Sequence, residues 1–146
     1  MTTLLCGHEV AKQIADFLPD VVAVGDGTSV IIKGERLLPV AQFLQNTPGL
    51  DFDYLVSITG VDYAGYFEVV YHLTSIKHNH GLILKARCYS RENPALPSVT
   101  SVWRGADFQE REIYDLMGIS FSGHPNLRRI FLWEGFPGYP LRRDYL

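Results

Sequence analysis

The spacing of apolar positions changes period several times along the 146-residue chain. Val10, Ile14 and Phe17 recur at helical spacing, with Ala11 and Leu18 widening the stripe, which predicts a helix over 7–18 closed by Pro19. Val21–Val24 and Ser29–Ile32 flank Gly25-Asp26-Gly27, a pattern that predicts a β-hairpin whose glycines supply the positive φ of a tight turn. Pro39 followed by Val40, Phe43 and Leu44 predicts a second helix, closed between Asn46 and Gly49. Tyr54–Thr59, Tyr66–Ser75 and Leu82–Tyr89 are rich in β-branched and aromatic residues and predict strands, the last two joined by a turn over 77–81.

Beyond residue 90 the regularity fades. Pro94 and Pro97 predict a loop over 91–97. Ser98 is placed to cap a short helix ending near Trp103-Arg104-Gly105. Asp107 is placed to cap the next, with Glu110 completing a capping box and Gly118 ending it. On that helix Ile113, Leu116 and Met117 form the apolar stripe, Arg111 and Asp115 are spaced to pair, and Glu112 with Asp115 reads as a solvated or interface face. The predicted fold is α+β: a two-layer domain over 1–117 with a mostly antiparallel or mixed sheet of hairpins and helices packed on it. An extended irregular tail follows over 118–146 and is expected to dock on a partner protein.

Composition narrows the function. Apolar content of 47% and charged content of 20% suit one globular domain. No apolar run approaches the ~20 residues that cross a bilayer, and the N-terminal residues lack an export signal, so membrane contact is expected only through partners. Cys6 and Cys88 are far apart and fit reduced thiols; an iron–sulfur cluster usually needs four thiolates. Residues 1–117 carry a net charge of −5 and residues 118–146 a net +2. That balance fits an acidic partner surface and does not suggest nucleic acid. His78 and His80 share one strand face and, with Glu68 or His72, make a metal site an alternative; exposed turn residues are the simpler reading. Dinucleotide-binding, P-loop and nucleophile-elbow motifs are absent.

The stretch from Glu110 to Asp144 is too particular for packing alone. It reads ERE-x-YDL-x-GI-x-F-x-GHP-x-LRRI, then W-E-G-F and G-Y-P-L-R-R-D. This order closely resembles the signature of the C-type, or thirty-kilodalton, subunit of respiratory complex I, the proton-pumping NADH:quinone oxidoreductase. Pro97-Ser98-Val99, Trp103 and Ala106-Asp107 extend the likeness, while residues 1–95 are compatible without being diagnostic. Phe108 and Met117 depart from the pattern, standing where Trp and Phe are usual, and both keep apolar character.

The resemblance implies a non-redox structural subunit of the quinone module, on the cytoplasmic side of the cell membrane or the matrix side in a mitochondrion. Its implied neighbours are the hydrogenase-like large subunit, which is the D-type one, and the adjacent iron–sulfur subunits. NADH, FMN, iron–sulfur clusters and quinone are bound by other chains, and no catalytic, cofactor or metal residue is expected in this one. By the same likeness Glu110, Arg111, Glu112, Asp115, His124, Arg128, Arg129, Trp133, Arg142 and Arg143 anchor the tail or meet the partner. An equivalent subunit of a membrane-bound hydrogenase, or of a formate-, deazaflavin- or ferredoxin-linked complex, is the alternative. A free-standing metal-dependent enzyme is the remote one.

Overall fold

The computed structural model describes residues 3–133 and 135–143. Glu134 and Asp144, both within the motif, lie outside the described residues, as do 145 and 146.

In chain order the elements are β1 (Thr3–Leu4), α1 (Gly7–Phe17), β2 (Val24–Gly25), β3 (Ser29–Lys33), a 3-10 turn at Gly34–Arg36, α2 (Leu37–Asn46), β4 (Tyr54–Tyr63), β5 (Tyr66–Ser75), β6 (His80–Cys88), β7 (Ala95–Pro97), α3 (Ala106–Met117) and β8 (Ser120–Ser122). The main sheet has six strands in the order β2-β3-β6-β5-β4, with β1 pairing the start of β6. Pairing is antiparallel for β2–β3, β4–β5 and β5–β6, and parallel for β3–β6 and β1–β6, so the sheet is mixed.

The three helices cover one face. Val30, Ile32, Ile58, Phe67, Val69, Tyr71, Leu73, Leu82, Leu84 and Ala86 point from the strands into a core shared with Val10 and Ile14 of α1 and Val40 and Leu44 of α2. The opposite face carries half-buried Ile31, Val61, Val70 and Ile83 around the Glu68–Arg87 ion pair. The fold is α+β with two layers, as the alternation of element types predicts.

Several local expectations change. β2 and β3 form the expected hairpin, but neither Gly25 nor Gly27 has a positive φ. Gly25 is required by proximity instead: a Cβ there would stand 2.2 Å from the Gly7 carbonyl oxygen, because α1 begins directly against the strand. Gly7 mirrors this, with a Cβ 2.1 Å from the Ser29 carbonyl oxygen. The turn itself is closed by Asp26, whose carboxylate accepts the Ser29 hydroxyl and the Ser29 and Thr28 amides. These hydrogen bonds, the hydroxyl first, lower its pKa to about 2. β4 runs past Thr59 to Tyr63 because its ladder with β5 continues to the Tyr63–Tyr66 pair. The expected loop over 91–97 contains β7, which pairs in parallel with β8. Pro97 is tolerated because it closes a short strand of a two-stranded sheet. Residues 98–103 form turns rather than a helix, with the Val102 and Trp103 amides both donating to the Val99 carbonyl.

Candidate partner-docking site

α3 positions most of the motif. Ala106, Glu110, Ile113 and Met117 are buried along it, Gly105 precedes it without a side-chain cap, and Gly118 ends it in the left-handed conformation at φ 76°. The capping box expected from Asp107 and Glu110 does not form. Glu110 faces inward, fully buried, and accepts the Ser98 hydroxyl at 2.6 Å and the Val99 amide at 2.8 Å. It therefore ties the turns over 98–103 to the helix. Burial raises its carboxyl pKa above the ordinary value, against those two hydrogen bonds, which lower it.

Asp115 is also fully buried, which corrects the solvated or interface face expected for it. Its Oδ2 accepts three successive backbone amides, Ile130 at 3.1 Å, Phe131 at 2.7 Å and Leu132 at 3.1 Å. Consecutive N–H groups converging on one anion form a nest, here filled by the chain's own carboxylate. Oδ1 faces the Arg129 Nε at 3.6 Å, so the partner of Asp115 is Arg129 rather than Arg111. Arg111 instead donates from Nε to the Arg128 carbonyl at 3.2 Å.

The tail beyond β8 is irregular, yet it is held against the domain. Arg129 donates to the Phe136 and Gly138 carbonyls, each at 3.1 Å, and lies over the Tyr139 ring. Arg142 donates from Nε to the Met117 carbonyl at 2.6 Å and is stacked between the rings of Tyr139 and Phe67. The Leu141 amide donates to the Leu116 carbonyl at 2.9 Å. Gly118 makes this contact possible, since a Cβ there would meet the Tyr139 ring at 2.6 Å and an Arg142 nitrogen at 2.7 Å.

At the far end the Arg143 amide donates to Asp62 Oδ2 at 2.9 Å. Asp62 also receives both terminal nitrogens of Arg91, at 2.6 and 3.1 Å. The Arg91 hydrogen bond is the main reason its pKa is lowered. Near the start of the tail the His124 side chain is fully enclosed; its Nε2 reaches both the Asp107 carbonyl oxygen and Oδ1 at 3.1 Å, while Nδ1 accepts the Asn126 amide.

The ten motif residues thus divide. Glu110, Asp115, His124, Arg129 and Arg142 hold the chain to itself. Glu112, Arg128, Trp133 and Arg143 are exposed, and Arg111 lies between. The exposed set is accompanied by Phe131 and Leu141, so that Phe131, Trp133 and Leu141 stand 64%, 65% and 60% exposed on a tail whose backbone is fastened. Aromatic side chains such as Phe131 and Trp133, held outward in this way, are of the types enriched at protein interfaces.

Asp62 and Arg91 were not singled out by sequence, and Tyr139, an interface-anchor type by sequence, is half-buried against Arg129 and Arg142 instead. Asp62 carried a usable signal: it follows Ile58 and Gly60 at period two, a charged residue on the buried side of a strand.

The alternative metal ligands do not converge on one site. His78 Nε2 meets the Asp51 carboxylate at 2.6 Å and His80 Nε2 meets the Leu50 carbonyl at 2.8 Å, with the two imidazole rings stacked at 5.3 Å. Glu68 pairs with Arg87, seven residues along β6 from His80, roughly 23 Å at the rise of a strand. Among the described residues no group of three His, Cys, Asp or Glu is placed to hold a metal ion.

Residues 30–146 match the family model described as the respiratory-chain NADH dehydrogenase 30 Kd subunit. The chain is 46% identical over 117 residues to a C-type subunit of NADH-quinone oxidoreductase from Rhizobium meliloti, covering 78% of this chain and 63% of that relative's length. It is 45% identical over 105 residues to the combined C/D-type subunit of NADH-quinone oxidoreductase from Phocaeicola vulgatus, covering 71% of this chain and 20% of that protein. The fold is also similar to a chain of the membrane-bound sulfane sulfur reductase, an archaeal respiratory membrane complex, with TM-score 0.76 and 22% identity over 95% of this chain and 85% of that one.

Proposed function

This chain belongs to the family of the 30 Kd subunit of the respiratory-chain NADH dehydrogenase, and from that premise we propose that it is a non-redox assembly subunit of a proton-translocating NADH:quinone oxidoreductase. It docks through the outward face of its tail onto the large subunit of the quinone module, beside the iron–sulfur subunits. Electrons pass from NADH through centres on those other chains to quinone, and this chain supplies shape and attachment.

The observation that carries the reading is the division of the motif. Its internal half fastens the tail to the domain, and its external half offers Phe131, Trp133 and Leu141 with Arg128 and Arg143. Arginine's planar fork suits carboxylates on a partner, and the tail's net positive charge suits an acidic surface. The joining of C-type and D-type subunits in the Phocaeicola relative supports a large-subunit neighbour. Among the described residues no helix is long and apolar enough to cross a membrane. That fits peripheral attachment through the complex; the side proposed for it, by family likeness alone, is the cytoplasmic one.

A tagged chain recovered from solubilised membranes tests the proposal by the proteins it retains. The large subunit together with iron–sulfur and NADH-oxidising chains is the expected result. Donor subunits of a hydrogenase or another linked complex would replace NADH as the electron source. Recovery of the bait alone, beside an intact complex in the same extract, would overturn the proposal.

A further inference from the structure

We infer that Asp115 and Asp62 are the two halves of a carboxylate clasp that folds the tail into its docking shape before any partner arrives. This rests on the docking proposed above and concerns how that docking is prepared.

A chain segment without regular structure has few ways to satisfy its own amides, and ordering such a segment during association costs affinity. In this tail the backbone is satisfied at two places by acidic side chains of the domain. Asp115, at the last turn of α3, takes the amides of Ile130, Phe131 and Leu132. Asp62, near the end of β4, takes the amide of Arg143 and is itself held by the two-pronged grip of Arg91. Between the two points the Leu141 amide and the Arg142 side chain reach the carbonyls of Leu116 and Met117.

Both carboxylates belong to rigid elements, and both are almost wholly buried, at 0% and 7% exposure. The geometry at the first point decides what is displayed. Phe131 is bound through its amide while its ring stands 64% exposed, so the clasp turns the side chain away from the domain. The domain therefore does not merely bear the tail; it sets the direction in which the tail's anchors point. Asp115 and Asp62 touch no partner in this scheme and are positioning residues.

Hydrogen exchange read residue by residue on the free full chain tests this, with D115N and D62N as the variants. D115N keeps an acceptor oxygen but loses the charge and places an amide group beside Arg129. In the wild type the expected pattern is two protected islands, 130–132 and 141–143, with 135 and 138 exchanging fast between them. D115N should speed exchange at 130–132 by at least about tenfold while leaving β5 and β6 unchanged, and D62N should do the same at 143. Each variant should also be retained by the complex more weakly than wild type and regain tail protection once assembled; D62N, which also breaks the Arg91 ion pair, should lower the melting temperature as well. Unprotected 130–132 amides in the free wild-type chain would overturn the inference. So would a D115N chain that loses protection yet assembles as the wild type does. The wild-type control keeps the two proposals apart: a wild-type chain that is protected but absent from the complex counts against the docking function and not against the clasp.

Discussion

Removing the Glu110 carboxylate distinguishes a residue that holds this chain together from one that meets a partner. In Glu110→Ala the Val99 amide, wholly buried, loses its acceptor, and an orphaned buried donor costs about 1–3 kcal/mol. The Ser98 hydroxyl suffers less, because Thr100 Oγ1 remains at 2.9 Å. The vacated space adds roughly 1 kcal/mol, partly offset by relief of a buried charge. The net loss is about 2–3 kcal/mol, a fall in Tm of roughly 6–12 °C for a chain of this size. Glu110→Gln preserves the contacts: its oxygen accepts the Val99 amide, its nitrogen donates to Ser98 Oγ, and the hydroxyl turns to Thr100. It should unfold within about 1 kcal/mol of wild type.

The pH dependence separates the two further. Burial raises the folded-state pKa of Glu110 above its unfolded value, so the folded chain binds this proton more tightly. Its contribution is fully present below the unfolded pKa and is lost as pH rises through the folded one. The stability of wild type minus that of Glu110→Gln should therefore decline from acid toward neutral pH and then level off. Taking the difference removes the opposite trend of Asp26, Asp51 and Asp62, whose pKa values are lowered. Thermal unfolding of the three proteins at several pH values is the assay. A Glu110→Ala chain with wild-type Tm that nevertheless fails to join the complex would refute this reasoning and return Glu110 to the interface.

The two adjacent arginines should behave differently when replaced singly. Arg128→Ala, at an exposed side chain, should weaken retention by the complex with tail exchange unchanged. Arg129→Ala should speed exchange at 130–132, because Arg129 backs the Asp115 carboxylate and ties residues 136 and 138. Gly118→Ala should cost about 1–2 kcal/mol from its left-handed φ and also lift Tyr139 and Arg142, read as lost protection at 141–143. Tyr71→Phe should be neutral to stabilising by about 1–2 kcal/mol, because the Tyr71 hydroxyl is buried without a hydrogen-bond partner among the described residues; a large drop in Tm would show that it has one.

Strands β3 to β6 and the first two helices were readable because their side chains meet the core at a fixed period, whereas β1, β7 and β8 are too short to show one. The fate of the charged residues on α3 was only half readable. Glu110 shares a stripe with Ala106, Ile113 and Met117, so its burial is implicit in the spacing. Asp115 lies off that stripe and is buried by the tail, a contact between residues 15 to 17 apart with no period to announce it. The parallel β3–β6 pairing joins strands more than 50 residues apart and leaves no local mark. Gly60 interrupts the β-branched run and hides the second half of β4; it is there because a Cβ would stand 2.5 Å from Met117 Sδ. Gly25 sits between two strands and reads as a turn residue, yet it answers to the start of α1. In each case the missing information was which distant segment would press against the residue.

Hydroxyl-radical footprinting of the free chain and of the assembled complex tests the docking surface most directly, since it reports side-chain exposure at each position. Phe131, Trp133 and Leu141 are predicted to react readily in the free chain and to be strongly protected in the complex. Buried Trp103 should react weakly in both. Equal reactivity of the three tail residues in both states, with protection gathered instead at Val22, Val24 and Tyr89 on the far edge of the sheet, would contradict docking through the tail.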